Sequence, residues 1–350
     1  MKIHEKYILR CIQLAKNGVG TTFPNPMVGS IIVHKGRIIG EGFTSPYGGA
    51  HAEVNAINSV KDQSLLKEAT LYVTLEPCSH FGKTPPCADL IVRQGIPNVI
   101  IGTLDPNSKV AGKGVKKLRE SGCNVIVGVI EGACREHHRR FLTFYEKKRP
   151  YFLLKWAQTE DGFIAPEHTK RNNDPQPYWI SGVRSRQLVH QWRSEEQAIL
   201  VGTNTVIQDN PKLDVRHWHG NSPTRIILDR DLKIDARFNV YNGKAKTIIV
   251  TGNENIGNNM DNVDYVGIDF SQNVIKQLCE VLYAHKILSV LVEGGAQTLQ
   301  TFITAGIWDE ARVFIGKSNF GKGLKAPILT EHPVNIKNID GDALNIYRND

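Results

Sequence analysis

The chain has 350 residues, 41% apolar and 22% charged, the balance of a soluble globular protein rather than of a disordered or fibrous one. No apolar run approaches the roughly 18 residues of a membrane span, and the length exceeds what one hydrophobic core usually fills, so two domains are expected. All of the formal net charge of +8 falls in residues 1–148, which carry 20 Lys and Arg against 12 Asp and Glu; this bias suits an anionic metabolite, a nucleic acid or an ordinary solvated helix face.

The opening "KIHEKYILRCIQLAKNG" is charged and amphipathic at helical spacing, which predicts a first helix rather than a signal peptide. A cytoplasmic protein is therefore expected, with reduced thiols, so its six cysteines form no disulfide framework. Most of them suit small buried positions. Apolar runs "VGSIIV", "ATLYVTL", "NVIIGT" and "CNVIVGV" follow as strands, with "AEVNAINSVK", "CADLIVRQG" and "GKGVKKLRESG" as intervening helices. That alternation predicts a layered α/β domain.

The basic stretch "FYEKKRP" ends the series and sets the expected boundary between domains 1–148 and 149–350. Beyond it come strands "YFLLKWA", "AILVG", "TRIILD", "TIIVTG", "ILSVLVEGG" and "ARVFIG". Helices "SGVRSRQLVHQW", "SQNVIKQLCEVLYAH" and "AQTLQTFITAG" lie among them, and "RNNDPQP" and "GNENIGNNMDN" read as loops.

Chemistry concentrates in two motifs of the first half. In "HAEVNA", His51 and Glu53 are two residues apart, which on a regular helix points them about 200° apart. Joint action requires the pair to straddle a helix start, with His51 at or before the first turn, an entry that Gly48 and Gly49 permit. In "EPCSHFGKTPPC", Thr84 is a candidate N-cap and Pro85 a candidate first helical residue. Cys87 then lies in a first turn, where helix N–H groups favour a thiolate.

One imidazole and two thiolates, from His51, Cys78 and Cys87, make a three-ligand zinc site with a fourth position open to water. Zinc lowers the pKa of that water, and a carboxylate outside the ligand set, here Glu53, shuttles the proton. The order His-x-Glu, Pro-Cys, Cys is the pattern of zinc deaminases. Eight residues between the cysteines insert a loop that carries His80 and Lys83.

The second half offers weaker signals. "LVEGGAQT" is a strand, Glu293, two glycines and a helix, either a phosphate-cradling turn or a plain one. It is not a Gly-x-Gly-x-x-Gly fingerprint, so an ordinary dinucleotide fold is not expected. Thr205 and Asp209 lie on a second strand-to-loop edge. Arg193 and Arg216 could clamp a phosphate or sit on the surface, and Trp179 suits a core or a stacking surface equally.

"NPMVG", "HAEVNA" and "TLEPCSHFGKTPPC" resemble the deaminase half of the bacterial bifunctional riboflavin-biosynthesis deaminase/reductase family. "KWAQTEDG", "WIS", "LVGTNTVIQDNP" and "LVEGG" resemble its reductase half. The resemblance implies a cytidine-deaminase-like three-layer α/β/α domain, then a dihydrofolate-reductase-like α/β domain, with Zn2+ and NADPH as cofactors. It implies deamination of 2,5-diamino-6-(5-phosphoribosylamino)pyrimidin-4-one to 5-amino-6-(5-phosphoribosylamino)uracil, then reduction of the ribosyl group to ribityl. By resemblance, His51, Cys78 and Cys87 hold zinc, Glu53 moves the proton, and Asn25, His80 and Lys83 bind the pyrimidine nucleotide.

NADPH contacts match Ala157, Trp179, Thr205, Asp209, Gly294, Gly295, Ala296, Gln297 and Thr298. Reductase substrate contacts match Lys155, Asp161, Arg193, Arg216 and Glu293. One departure stands out: Pro177 occupies a position where the family commonly has a serine, which removes a hydroxyl from the substrate loop. The expected partner is a phosphorylated small molecule, with neither nucleic acid nor membrane, and a homo-oligomer is expected. The wide cysteine spacing and the cofactor-like second half argue against a nucleic-acid deaminase, and the intact quartet argues against an inactive relative.

Overall fold

The computed structural model describes residues 2–81, 85–107, 111–167, 175–253 and 261–349. These fall into two units with separate cores, Met1–Lys148 and Arg149–Asp350.

The first unit runs α1 (Lys2–Ala15), β1 (Gly29–His34), β2 (Arg37–Phe43), α2 (Ala52–Asn58), β3 (Thr70–Leu75), α3 (Cys87–Arg93), β4 (Asn98–Thr103), α4 (Lys113–Glu120), β5 (Asn124–Val127) and α5 (Glu131–Lys147). β1 and β2 form an antiparallel hairpin closed by Lys35 and Gly36, both at positive φ, as a two-residue turn matched to strand twist requires. The sheet order is β2-β1-β3-β4-β5, with β3, β4 and β5 parallel.

Helices cover both sheet faces. Ile31, Val33, Tyr72 and Ile100 pack with Tyr7, Ile8 and Cys11 of α1 and Cys134 of α5. On the other face α2 lies so close to β2 that a Cβ on Gly42 would be 2.3 Å from the Ala56 nitrogen. The sequence reading had no counterpart to α5, whose charged surface hides a buried stripe of Cys134, His138, Phe141 and Leu142.

The second unit runs β6 (Tyr151–Thr159), β7 (Phe163–Pro166), α6 (Val183–Glu195), β8 (Ala198–Gly202), α7 (Thr203–Asp209), β9 (Thr224–Leu228), β10 (Thr247–Thr251), β11 (Val263–Gly267), α8 (Val274–Ala284), β12 (Ser289–Val292), α9 (Ala296–Thr304), β13 (Glu310–Gly316), β14 (Gly323–Lys325), β15 (Asn335–Ile339) and β16 (Asp342–Arg348). Its large sheet has the order β11-β10-β9-β8-β12-β6-β13-β16-β15. The first seven strands in that order are parallel, and β16 and β15 close the edge antiparallel.

The chain builds outward from β8 to β11, then returns to insert β12 between β8 and β6. The carboxyl ends of β6, β8 and β12 therefore lie side by side at a switch in strand order, where open α/β sheets form their binding crevices. Buried runs on both sheet faces account for the near-continuous apolar strands, with Phe152, Leu154 and Val290 on one side and Leu153, Leu291 and Trp192 of α6 on the other. Among the described residues no helix is long and apolar enough to cross a membrane.

Candidate functional site

Three elements deliver the cluster in the first unit. His51 is the extended residue immediately before α2, at φ −73° and ψ 163°, and Glu53 lies in the first turn. The pair thus straddles the helix start. Cys78 lies just past β3, and Cys87 is the first residue of α3. The helix enters from Pro86, later than the expected start at Pro85, because a residue that precedes a proline is pushed out of the helical region. Thr84 and Lys83 lie outside the described residues.

The His51 Nδ1 atom is 3.6 Å from the Cys78 sulfur and 3.3 Å from the Cys87 sulfur, and all three potential ligand atoms lie within 4.8 Å of one another. The Cys87 N–H donates to the Cys78 sulfur at 3.3 Å. One imidazole and two sulfurs around a common point are the donor set of a zinc site with an open position. Hydrogen bonding from Cys87 holds the Cys78 thiol down at about 4, with His51 assisting against burial. The same bond pushes the Cys87 thiol up. His51 is raised to about 9, chiefly by its bond with Cys78. A bound ion takes the place of these shared protons. Burial lifts the Glu53 carboxyl to about 7, with His51 pulling the other way.

His51, Glu53 and Cys78 open onto a cavity of about 250 Å3 lined also by Asn25, His80, Asp105 and Asn107. Sequence reasoning missed the last two. They follow β4, where the Asn107 N–H donates to Asp105 at 2.7 Å and burial pushes the Asp105 carboxyl up to about 7. Their one signal was position, at the carboxyl end of a parallel strand. Glu76 was also missed. Its buried carboxylate accepts N–H bonds from Asp105, Gly112, Gly114 and Val115, tying the Glu-Pro-Cys turn to this loop and to the start of α4.

In the second unit a cavity of about 510 Å3 lies at the carboxyl ends of β6, β8 and β12. It is lined by Lys155, Ala157, Trp179, Arg193, Thr205, Asp209, Arg216, Glu293, Gly294 and Gly295. A neighbouring cavity of about 550 Å3 shares Thr205 and Gly295 and adds Ala296, Gln297 and Thr298. The two meet where the Gly295 N–H donates to Thr205 Oγ1 at 2.8 Å. Gly294 has a packing reason to lack a side chain: a Cβ there would lie 2.9 Å from the Gly202 nitrogen.

Arg193 binds Glu293 through two bonds of 2.8 Å, and Lys155 lies 3.8 Å from the same carboxylate. Burial pushes Glu293 up, but Arg193 and Lys155 outweigh it and hold the acid at about 2. Two cations against one anion leave this network one positive charge. Trp179 stacks on the Arg186 guanidinium at 4.7 Å, and Pro177 lines the cavity beside it. Asp161 is placed elsewhere. Its carboxylate accepts from Thr159 and from the Phe320 and Gly321 N–H groups, and it is not among the residues lining either cavity. Sequence reasoning missed His190 and His217 in the cavity wall.

Residues 1–103 match the cytidine and deoxycytidylate deaminase zinc-binding region, and residues 150–340 match the RibD C-terminal domain. The riboflavin biosynthesis protein RibD of Aquifex aeolicus is 42% identical over 332 residues, spanning 92% of this chain and 89% of that one. The chain belongs to the RibD family. The RibD protein of Bacillus amyloliquefaciens is 40% identical over 93% of this chain and 88% of its own length. A Thermotoga maritima diaminohydroxyphosphoribosylaminopyrimidine deaminase/5-amino-6-(5-phosphoribosylamino)uracil reductase superposes with a TM-score of 0.87, at 39% identity and 99% coverage of both chains. Acinetobacter baumannii RibD gives 0.88 at 30% identity and the same coverage.

As a RibD protein the chain is a bifunctional deaminase and reductase of riboflavin biosynthesis, with a zinc-binding deaminase domain and an NADPH-dependent reductase domain of dihydrofolate-reductase type. The donor chemistry of the cluster fits zinc. The paired cavities at the α7 and α9 entries have the bipartite form a dinucleotide needs.

Proposed function

We propose that His51, Cys78 and Cys87 hold the zinc and that Glu53 carries the proton in deamination of 2,5-diamino-6-(5-phosphoribosylamino)pyrimidin-4-one. The observation that carries this reading is the convergence of three ligand atoms within 4.8 Å, two of whose residues, His51 and Cys78, line one cavity with the buried Glu53 carboxylate. Zinc, when bound, supplies Lewis acidity that makes water a nucleophile near pH 7. Glu53 accepts a proton from the attacking water and passes it to the ring nitrogen, then takes the proton of the newly added hydroxyl and delivers it to the amino group, which leaves as ammonia as the carbonyl forms. A carboxyl lifted by burial suits a group that must take and return a proton. Asn25, His80, Asp105 and Asn107 orient the pyrimidine, and Lys83 joins them by sequence position alone.

The product then enters the reductase cavity, where NADPH, when bound, would supply hydride to the sugar C1′ as the C1′–O4′ bond opens and O4′ takes up a proton from solvent. Lys155, Arg193 and Glu293 receive the sugar arm, Arg216 receives its phosphate, and Ala157, Trp179, Thr205, Asp209 and Gly294–Thr298 hold the cofactor. Asp161 contributes by fixing the Phe320–Gly321 segment through its N–H bonds. Cytoplasmic residence is part of the proposal, because Cys78 and Cys87 must stay reduced to bind metal. So is a homo-oligomer, supported by exposed Val334 and Ile336 at the β15 edge.

The test is an assay of the purified protein on the diaminopyrimidine nucleotide, with metal content measured alongside. Ammonia release without NADPH, and NADPH oxidation only after deamination, are expected. Ammonia release from single-stranded DNA or tRNA in its place would contradict the reading.

A further inference from the structure

We propose that His190 is a positioning residue of the reductase, holding the 213–217 loop so that the Arg216 guanidinium faces the cavity in register for the substrate's anionic arm. This deepens, and rests on, the reading of Arg216 as a substrate contact. His190 projects from α6 into the cavity wall and is 4% exposed. The Arg216 N–H donates to its Nδ1 at 3.3 Å, and its ring meets the His217 ring edge to face at 4.9 Å.

The loop has other anchors, but they act on other residues. Leu213 is buried at positive φ, Arg193 donates to the Asp214 carbonyl, and the Val215 N–H reaches Ser222. The His190 bond is the contact made to the backbone of Arg216 itself. Arg216 is held sideways by Asp214 at 2.6 Å and keeps about a third of its side chain exposed, so its head group remains available. Accepting an N–H requires a bare Nδ1. Burial, then Arg193, Arg216 and His217, hold His190 down at about 4 against the opposing pull of Glu293, so the ring is neutral at neutral pH, and the Arg216 N–H selects the tautomer with Nδ1 bare.

The experiment compares H190A, H190N and R216A, and the double variant, by reductase kinetics on the deaminated nucleotide and by NADPH affinity from fluorescence titration. Asparagine places an oxygen close to the Nδ1 position and can accept the same N–H. H190A should raise KM roughly tenfold, the size of one lost hydrogen bond, with kcat and NADPH affinity held within about twofold. H190N should restore most of the loss, and H190A should add nothing in the R216A background, since the two act through one contact.

If R216A raises KM while H190A does not, His190 has no positioning role and the Arg216 reading survives. An additive double variant, or failure of H190N to rescue, also overturns the proposal and assigns His190 to packing. An unchanged KM in R216A removes Arg216 from the substrate site, a result separate from these. Unaltered NADPH affinity shows that each variant has folded.

Discussion

At the scale of single residues, Glu53 shows how position and environment divide the labour of one motif. Two residues after His51 it would point away on a regular helix, yet with His51 before α2 both line one cavity. Burial lifts its carboxyl to about 7, close to the pH at which a proton carrier works best. Glu53→Gln keeps shape and removes the proton site. It should retain zinc and lose deamination by about 100- to 10,000-fold, the usual value of a positioned acid–base group, while reduction of pre-deaminated substrate continues. Deamination within tenfold of the parent would show that another group moves the proton. These residues were legible because ligand chemistry demands His and Cys, and helix geometry restricts where they sit. Asp105 and Asn107 were not, since only the pairing of β3 with β4 brings them to Cys78. Asp161 illustrates the converse: a position matched by resemblance spends its carboxylate on neighbouring backbone.

At the scale of elements, legibility followed burial. Strands buried on both faces announced themselves as apolar runs, as in β6, β8 and β12. The edge strand β15 is almost wholly exposed and β16 alternates, so neither rises above its surroundings in sequence. α5 was hidden by "REHHRR", whose His138 is buried and bonded to Thr74 at 3.0 Å. Burial, with His137 adding to it, pushes His138 well below its ordinary 6.5. A histidine depressed in the folded state contributes stability above its unfolded pKa, and that contribution is lost as pH falls. Between pH 7.5 and 5.5 the first unit should therefore lose on the order of 1 kcal/mol through this group. Denaturant unfolding of the parent and H138Q at both pH values measures it. A stability difference between the two that does not change with pH would remove His138 from the account.

At the scale of the whole molecule, the sequence order of strands says nothing of β12 slotting between β8 and β6, since that insertion depends on contacts distant in sequence. Yet it creates the reductase cavity by bringing Glu293, Lys155 and Gly202 side by side. The first unit's excess of basic residues gains a reason from the anionic nucleotide proposed as substrate. Both activities trace to one design: side chains carried at the carboxyl ends of parallel strands and on the first turns of the helices beside them.

All of the deaminase chemistry depends on the metal being held by one nitrogen and two sulfurs of this chain. X-ray absorption at the zinc edge of the purified protein reads that set directly. One zinc per chain with two sulfur neighbours at about 2.3 Å and two lighter neighbours at about 2.0 Å is the predicted spectrum, falling to one sulfur in C87S. A shell of four sulfurs, a shell with none, or a protein that takes up no zinc when supplied with it would contradict the account.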